Sequence, residues 1–571
     1  MHIKSQLPDL PPIPDANVFD LFFKAPQGAQ IADYTVYVDA ATGLKHSLRN
    51  YYEFVRDAAT ALGVPPARGG LGLGGEAGDI VGIFSHNCVS YAALVHALLA
   101  ITTPFANLSA YATAYELAHS LKTVKPNYLF VQPALLPTAL AAAKEVGLPE
   151  KQIYILEGSS GDERLSLQDL VNRIRKGSIS REPVRLANKN TLAYFVFSSG
   201  TSGLPKAVMI SHGNLWAMVL SQAIWRQEEI KFLRELTPPK APPVALCFLP
   251  MYHAYPLNIV AFRMFGMAPV TFVIMEKWEA SAVLKAIPKY RIEALALVPS
   301  AVHQLLNHPD SAKTDFSSLA SAGCGAAHLP TTLRDNFLSH FGNVTLSEGY
   351  GMSELTFGIS RKSFDGMFGL KVPDSTCGLI NSNVEVRTVR EDGSEADVDE
   401  PGELWVKAPV VALGYYGNEQ ATQETFVDGW VRTGDQMRID KDGFLHFVER
   451  KKDTLKVGGA QVSPSEIENV LHAQPDGLIT DACVAGVSGG RTSDEKVPRA
   501  WVVLSDEGKR RGAEEAVKAL EAWTKKNLSP YKWLRGGFEV VNEIPKSPTD
   551  KILRRLLQER FEAQYTARAK L

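Results

Sequence analysis

"FVFSSGTSGLPKAVMISHGN", residues 195–214, sets four hydroxyl side chains, two glycines and a lysine within nine positions, directly behind an apolar run. Gly200 and Gly203 permit backbone conformations in which successive N–H groups converge on an anion. Ser198, Ser199, Thr201 and Ser202 add hydroxyl donors, and Lys206 adds a cation. Such a loop is either a surface turn or a cradle for phosphate, and taken alone it leaves both open. It is not a Walker loop, which needs G-x-x-x-x-G-K-[ST] where this chain reads G-T-S-G-L-P-K-A.

Four further stretches bear on the choice. "SEGYGMSE" (347–354) places Gly349 and Gly351 around Tyr350, an aromatic able to lie on a purine, with Glu354 as a candidate magnesium ligand shared with nucleotide phosphates. "GWVRTGD" (429–435) ends in Asp435, expected on a tight turn, where a carboxylate suits paired ribose hydroxyls; a solvated turn aspartate is the competing reading. "ERKKDTLKVGGAQVSPSEIE" (449–468) mixes basic residues with a Gly-Gly step before a helix capped by Ser463 or Ser465. "IPKSPTDKILRRLL" (544–557) puts Lys551 between a strand and a helix, a position where basic residues are most often solvated.

The elements that must carry these stretches alternate. "DIVGIFS" precedes "SYAALVHALLAI", "YLFVQ" precedes "TALAAAKEVG", and "ALALVPS" precedes "AVHQLLNH". This βα pattern predicts an α/β fold of mainly parallel sheets with helices on their faces. The apolar run "TLAYFVF" then reads as a buried strand whose carboxyl end bears the glycine-rich loop, where ligand sites of such folds gather. From about residue 380 the segments turn β-rich ("SNVEVRTVRED", "GELWVKAP", "GFLHFVERK"). Beyond roughly 452 a small α+β arrangement is expected, with strands at "DACVAGV", "RAWVVLS" and "FEVVNEI". The boundary is placed in the polar run Arg450 to Asp453. Residues 70–75, "GLGLGG", satisfy G-x-G-x-x-G but precede a strand instead of following one, so they read as a loop.

Composition narrows the partners. The 571 residues exceed the roughly 250–300 at which single cores stop growing, so several domains are expected. With 60 Lys+Arg against 62 Asp+Glu, no basic excess points to nucleic acid. The five cysteines are scattered and form no CxxC pair, which fits a reducing compartment and argues against a disulfide framework or a zinc site. "MHIKSQLPDLPPIPD" has no apolar core of a signal peptide, and the apolar stretch 244–275, broken by His253, Asn258 and Arg263, reads as strands and a helix, not a membrane span. Ala569-Lys570-Leu571 has the small–basic–Leu form of a peroxisomal address, read by an import receptor.

"SSGTSGLPK", "YGMSE", "RTGD" and "PKSPTDK", together and in this order, resemble the adenylate-forming superfamily of acyl- and aryl-CoA ligases, firefly luciferase and peptide-synthetase adenylation domains. The chain looks most like 4-coumarate–CoA ligases and their fungal aryl/acyl-CoA ligase relatives, from about residue 30 to 560. The resemblance implies a large N-terminal domain (1–449) of βα-layered sheets plus a β-rich subdomain, a hinge at 450–452 with Lys452, and a small mobile C-terminal domain (453–571) that carries the catalytic lysine. It implies ATP, Mg²⁺ and CoA as reactants: a carboxylic acid becomes an acyl-AMP with loss of pyrophosphate, and a thiol then takes the acyl group. By the same resemblance, 198–206 holds the outer phosphates. Gly325, Ala326, Ala327, Gly349 and Tyr350 surround the adenine, Gly351 belongs to the same nucleotide site, and Asp435 and Arg450 hold the ribose. Ser353 and Glu354 sit by the α-phosphate and metal, and Lys551 stabilises adenylation. Lys456, Gly458, Gly459 and Gln461 form the thioester face. His253 is a gate to an acyl pocket of Ala254, Tyr255, Ile259, Phe357 and Gly358, whose apolar character suits an aryl or medium-chain acid.

Several positions depart from that pattern. Ala207 follows the loop lysine where glycine is usual, and Asp550 replaces a glycine before Lys551. Glu348 stands for a common glutamine, His328 for a proline and Gly458 for a lysine. Two alternatives to a CoA ligase remain at this stage. One is an adenylating enzyme with another acceptor, a carrier-protein thiol or oxygen. The other is a catalytically impaired nucleotide-binding protein.

Overall fold

The computed structural model describes the chain apart from residues 25–30, 199–204, 234–240, 327–328, 330, 343, 391, 451–454, 458–459, 490–495, 546–553 and 570–571. It divides into two units. The first comprises Met1–Ala110, Leu121–Phe197 and Ala207–Glu449; the second comprises Tyr111–Ser120, Ser198–Lys206 and Arg450–Leu571.

Two sheets of the first unit are mainly parallel. In one, the strands run Ile153–Ile155, Tyr128–Val131, Val81–Phe84, Phe105–Leu108, Leu192–Ser198 and Lys206–Ser211 across the sheet. In the other the order is Thr345–Glu348, Ser321–Cys324, Ala294–Leu297, Val244–Cys247, Thr271–Ile274, Thr35–Asp39 and Lys45–Ser47. Strands such as Val81–Phe84 and Thr271–Ile274 are short runs buried along their whole length, as parallel strands covered on both faces must be. The helix Val89–Ala100 is buried at every residue but Ser90, which a helix apolar all round requires. "GLGLGG" forms neither the strand end nor the helix start of a dinucleotide site.

Parallel register does the positioning. Leu297 pairs with Cys324, and Cys324 with Glu348, so three strands of the seven-stranded sheet end side by side. Gly325–Ala326 and Gly349–Tyr350 therefore leave adjacent strands at the same edge, where open α/β sheets bind ligands.

The third sheet of this unit is antiparallel: His2–Lys4, Glu385–Val389, Gly402–Lys407, Trp430–Ile439 and Phe426–Val427, with Leu445–Arg450 also paired to Trp430–Ile439. The β-rich reading of this region holds, but the edge strand comes from the amino terminus, which no local pattern announced. Asp435 corrects an expectation. It lies within the ten-residue strand Trp430–Ile439, not on a tight turn, and is 2 % exposed. The turn-like signal came from Gly434, whose φ of 71° falls where the pairing of Gly402–Lys407 with this strand shifts register. A glycine there marks a bulge instead of a turn.

In the second unit, Ile479–Val487, Val497–Leu504 and Phe538–Val540 form one sheet and Leu455–Val457 pairs with Ala460–Val462. The last expected strand, "FEVVNEI", is shorter than its apolar run: it stops at Val540. Ser463 takes the N-cap position of Pro464–His472 without a side-chain capping bond.

Candidate active site

The glycines around Tyr350 have a packing reason. A Cβ on Gly351 would lie 2.2 Å from the Phe357 carbonyl oxygen, and one on Gly349 would lie 2.6 Å from the Ser360 oxygen. Gly351 and Gly358 pair as an antiparallel bridge, so the chain folds back tightly on itself. The Tyr350 amide donates to Ser360 Oγ (3.1 Å), and its carbonyl accepts from Ile359 N (2.8 Å). The result is a rigid hairpin that fixes Tyr350. Its hydroxyl donates to Asp435 Oδ2 at 2.6 Å, so the expected purine platform and the expected ribose carboxylate are in contact. The Asp435 amide donates to Thr433 Oγ1 (3.1 Å), whose hydroxyl donates to Leu404 O (2.8 Å).

Glu354, two residues beyond Met352, is 5 % exposed and lies in the 3₁₀ turn Ser353–Leu355. Tyr415 donates its hydroxyl to Glu354 Oε1 at 2.8 Å, and Ala412 N donates to the Glu354 carbonyl (2.9 Å). Burial, together with the Glu354 charge, raises the Tyr415 phenol far above its ordinary value, so it stays a donor. The segment bearing Tyr415 is in turn tied to the strand Lys206–Ser211: Tyr416 N donates to Ala207 O and Met209 N to Gly414 O. Tyr415, sixty-one positions from Glu354, carried no signal in the sequence.

Among the described residues no group of three His, Cys, Asp or Glu side chains could hold a metal ion. A lone buried carboxylate is nevertheless what Mg²⁺ uses when substrate phosphates supply the other ligands. Glu354 fits that arrangement and Asp435 fits a sugar hydroxyl.

On the acyl side, the helix Ala254–Val260 opens at His253. His253 is exposed and rests on Tyr252, with ring centroids 4.4 Å apart. Ala254 is buried and Ile259 is half-buried against the core. Tyr255 donates its hydroxyl to Gly323 O (3.2 Å), and a Cβ on Gly325 would stand 3.4 Å from its ring. Phe357 lies nearly parallel to Tyr255, 6.1 Å between centroids at 19°. The structure thus brings together Tyr255, Phe357 and the Gly323–Gly325 strand end. Ala326 follows at φ 63°.

Several candidates lie outside the described residues: Ser199, Gly200, Thr201, Ser202, Gly203, Ala327, His328, Lys452, Gly458, Gly459, Asp550 and Lys551. So do the side chains of Arg450, Lys456 and Gln461, although Lys456 and Gln461 are backbone partners in their ladder. Ser198 and Lys206 are the flanking strand residues, so the glycine-rich loop joins two neighbouring strands instead of opening a helix.

Glu348, the residue found where glutamine is common, is half-buried at its strand end. Burial raises its pKa, opposed by the nearby Lys362 and Arg334 charges. A carboxyl raised in the fold stabilises it fully below the unfolded value and loses that contribution as pH climbs through the folded value. Glu348→Gln is therefore expected to raise the thermal midpoint at pH 8 and leave it unchanged at pH 4. Equal midpoints at pH 8 would contradict this.

Comparison with known proteins follows the same lines. Residues 26–416 match the AMP-binding enzyme family and residues 466–551 the AMP-binding enzyme C-terminal domain. The chain is 30% identical over 555 residues to 4-coumarate–CoA ligase-like 3 of Arabidopsis thaliana, covering 96% of this chain and 93% of that one. It is 29% identical over 553 residues to the peroxisomal OPC-8:0-CoA ligase 1 of the same plant, with the same coverage. The amide bond synthetase McbA of Marinactinospora thermotolerans shares the fold, with a TM-score of 0.74 and 23% identity over 95% of this chain and 99% of that one. The chain belongs to the AMP-binding enzyme family, as an ATP-dependent acid–CoA ligase that works through an acyl-adenylate and releases AMP.

Proposed function

We propose that the acid is an aryl or medium-chain carboxylic acid, held against the wall that Tyr255 and Phe357 form together. The observation that carries this reading is the near-parallel pair of rings beside the Gly323–Gly325 strand end. Neither residue of that wall carries a charge, so an amino group on the acid would go unpaired there. An apolar acyl part suits it.

In the first half-reaction the carboxylate oxygen attacks the α-phosphorus of ATP and pyrophosphate leaves. Both reactants are anions, so the site must supply cations and dipoles aimed where they meet. Ser198, Lys206 and the loop between them would hold the outer phosphates. Gly325, Ala326, Ala327, Gly349 and Tyr350 would enclose the adenine, and Asp435 with Arg450 the ribose. Ser353 and Glu354 would stand by the α-phosphate, with Glu354 ligating Mg²⁺, which when bound offsets phosphate charge. Lys551 would reach the α-phosphate and acyl oxygen. In the second half-reaction the CoA sulfur attacks the acyl carbon and AMP leaves, on the face of Lys456, Gly459 and Gln461. Movement of residues 453–571 about Lys452 would exchange the two faces. The fixed Tyr350–Asp435 contact supports the nucleotide assignments.

The test is acyl-CoA formation, read by mass, over a panel of aryl, medium-chain, short-chain and amino acids with MgATP and CoA. Turnover confined to aryl or medium-chain acids is expected. A preference for amino or short polar acids would overturn the reading.

Ala569-Lys570-Leu571 supports a peroxisomal location reached through an import receptor, and one relative is named as peroxisomal. Among the described residues no helix is long and apolar enough to cross a membrane. Deleting residues 569–571 is expected to move the fluorescently tagged chain from peroxisomes to the cytosol with its kcat unchanged. An unaltered location would remove the proposal.

A further inference from the structure

Thr356 adopts φ 62° and ψ −44°, a backbone conformation that a β-branched residue rarely takes. Across it the Phe357 amide donates to the Leu355 carbonyl. Residues 355–357 thus form a γ-turn with its central residue at positive φ, the rarer and strained form of that turn. Strain of this kind persists only where the surroundings over-determine it, and it collects at sites whose geometry matters.

The restraints here are explicit. Thr356 is completely buried. Its amide donates to Ser353 O (3.0 Å) and its hydroxyl to Val410 O (2.7 Å). Its carbonyl accepts from Asn258 Nδ2 at 3.0 Å. Asn258 is 3 % exposed on the helix Ala254–Val260, and the same nitrogen donates to Ala254 O (2.7 Å). Three separate stretches of chain therefore grip one strained residue.

Its neighbours give the strain a purpose. Glu354 lies two positions before Thr356 and Phe357 one after. Phe357 packs on Tyr255, which shares its helix with Asn258. The turn decides the direction in which Phe357 leaves the segment that holds Glu354, and Asn258 ties that turn to the helix bearing the other ring. Glycine would take this φ without strain, but it lacks the hydroxyl that binds Val410.

We propose that Thr356, held by Asn258, is a positioning residue for adenylation: it sets the acyl wall of Phe357 and Tyr255 against the nucleotide-side carboxylate Glu354. The proposal rests on the acyl and nucleotide assignments above. Neither residue touches a reacting atom. Their effect passes through Phe357 and Glu354.

The test uses the full chain, MgATP and the acid of the panel that the native enzyme turns over fastest. For native, Thr356→Gly, Thr356→Ser and Asn258→Ala proteins it measures the melting midpoint, kcat for pyrophosphate release, and KM for ATP and acid. Thr356→Gly relieves the backbone cost but leaves the Val410 carbonyl without its hydroxyl donor, so its melting midpoint is used only to show that the variant folds. Its kcat is expected to fall about 10- to 100-fold, the size of effect that small misplacements of reacting groups produce, with KM for ATP little changed. Thr356→Ser should restore kcat, since it keeps the hydroxyl. Asn258→Ala leaves the Thr356 backbone type untouched and should lower kcat in the same way; it decides the matter if Thr356→Gly does not fold. Native kcat in either variant, or a Thr356→Ser protein as slow as Thr356→Gly, overturns the proposal. A native chain that releases no pyrophosphate with any acid overturns the functional reading along with it, whereas normal native turnover with indifferent variants overturns only this inference.

Discussion

Replacing Lys551 with alanine is expected to abolish acyl-AMP formation while sparing the transfer of a preformed acyl-AMP to CoA. A carboxylate must approach an already anionic phosphate, so the first step depends on positive charge at the α-phosphate. Losing a single oriented donor in an oxyanion-type site costs about 10²–10³ in rate, and a cation between two anions should cost at least that much. The second step begins from a neutral acyl carbon already joined to a good leaving group and has no such demand. Measuring the two half-reactions separately, by pyrophosphate release and by acyl-CoA formation from synthetic acyl-AMP, therefore separates the role from a general loss of structure. Equal loss of both steps would count against it. Asp550 sharpens the experiment. If Asp550→Gly accelerates adenylation many-fold, the native lysine works beside a charge that restrains it.

Lys532→Met should destabilise the chain by about 3–5 kcal/mol at neutral pH, the usual result of stranding buried carboxylates. Lys532 is 5 % exposed and donates to Glu466 Oε1 (2.8 Å) and to Glu116 Oε1 (2.6 Å), both within the second unit. Ser529 Oγ donates to Glu116 Oε2, while Glu466 Oε2 has no hydrogen-bond partner among the described residues. Desolvation raises the Glu466 carboxyl and the Lys532 charge works against that; the two carboxylates in turn hold the Lys532 ammonium well above its ordinary value. Methionine conserves the bulk of the stem and removes the charge. The sign of the pH dependence follows. Glu466 is raised in the fold, so its neutral form favours folding; in Lys532→Met nothing opposes this rise, and the deficit should shrink as pH falls toward the ordinary carboxyl range. Chemical denaturation of the full chain at pH 7.5 and 4.5 checks this. A deficit that does not change with pH would assign the loss to packing instead of charge.

Much of the fold was legible because its physics is local. Buried parallel strands are continuous apolar runs, and "YLFVQ" or "ALALVPS" between helical patterns has few other readings. What escaped depends on pairings that no window contains. His2–Lys4 joins a sheet through Glu385–Arg387, so its strand character comes from a partner across nearly the whole chain. Asp435 was misread because Gly434 looks like a turn residue, and only the partner strand shows that it makes a bulge. The glycines of "GYG" flank an aromatic that suits a purine, but their own constraint is the return of the chain at Phe357 to Ser360, which the sequence does not show. Tyr415 and Asn258 act on Glu354 and Thr356 through hydrogen bonds over large sequence separations. Side-chain type alone marks neither.

The central claim is that this chain activates an acid through AMP before a thiol accepts it. The most direct measurement is mass analysis of the products from the best acid and MgATP, first without CoA and then with it. Acyl-AMP and pyrophosphate without CoA, converting to acyl-CoA and AMP when CoA is added, is the predicted result. ADP and inorganic phosphate, or ATP left intact with every acid tried, would contradict it.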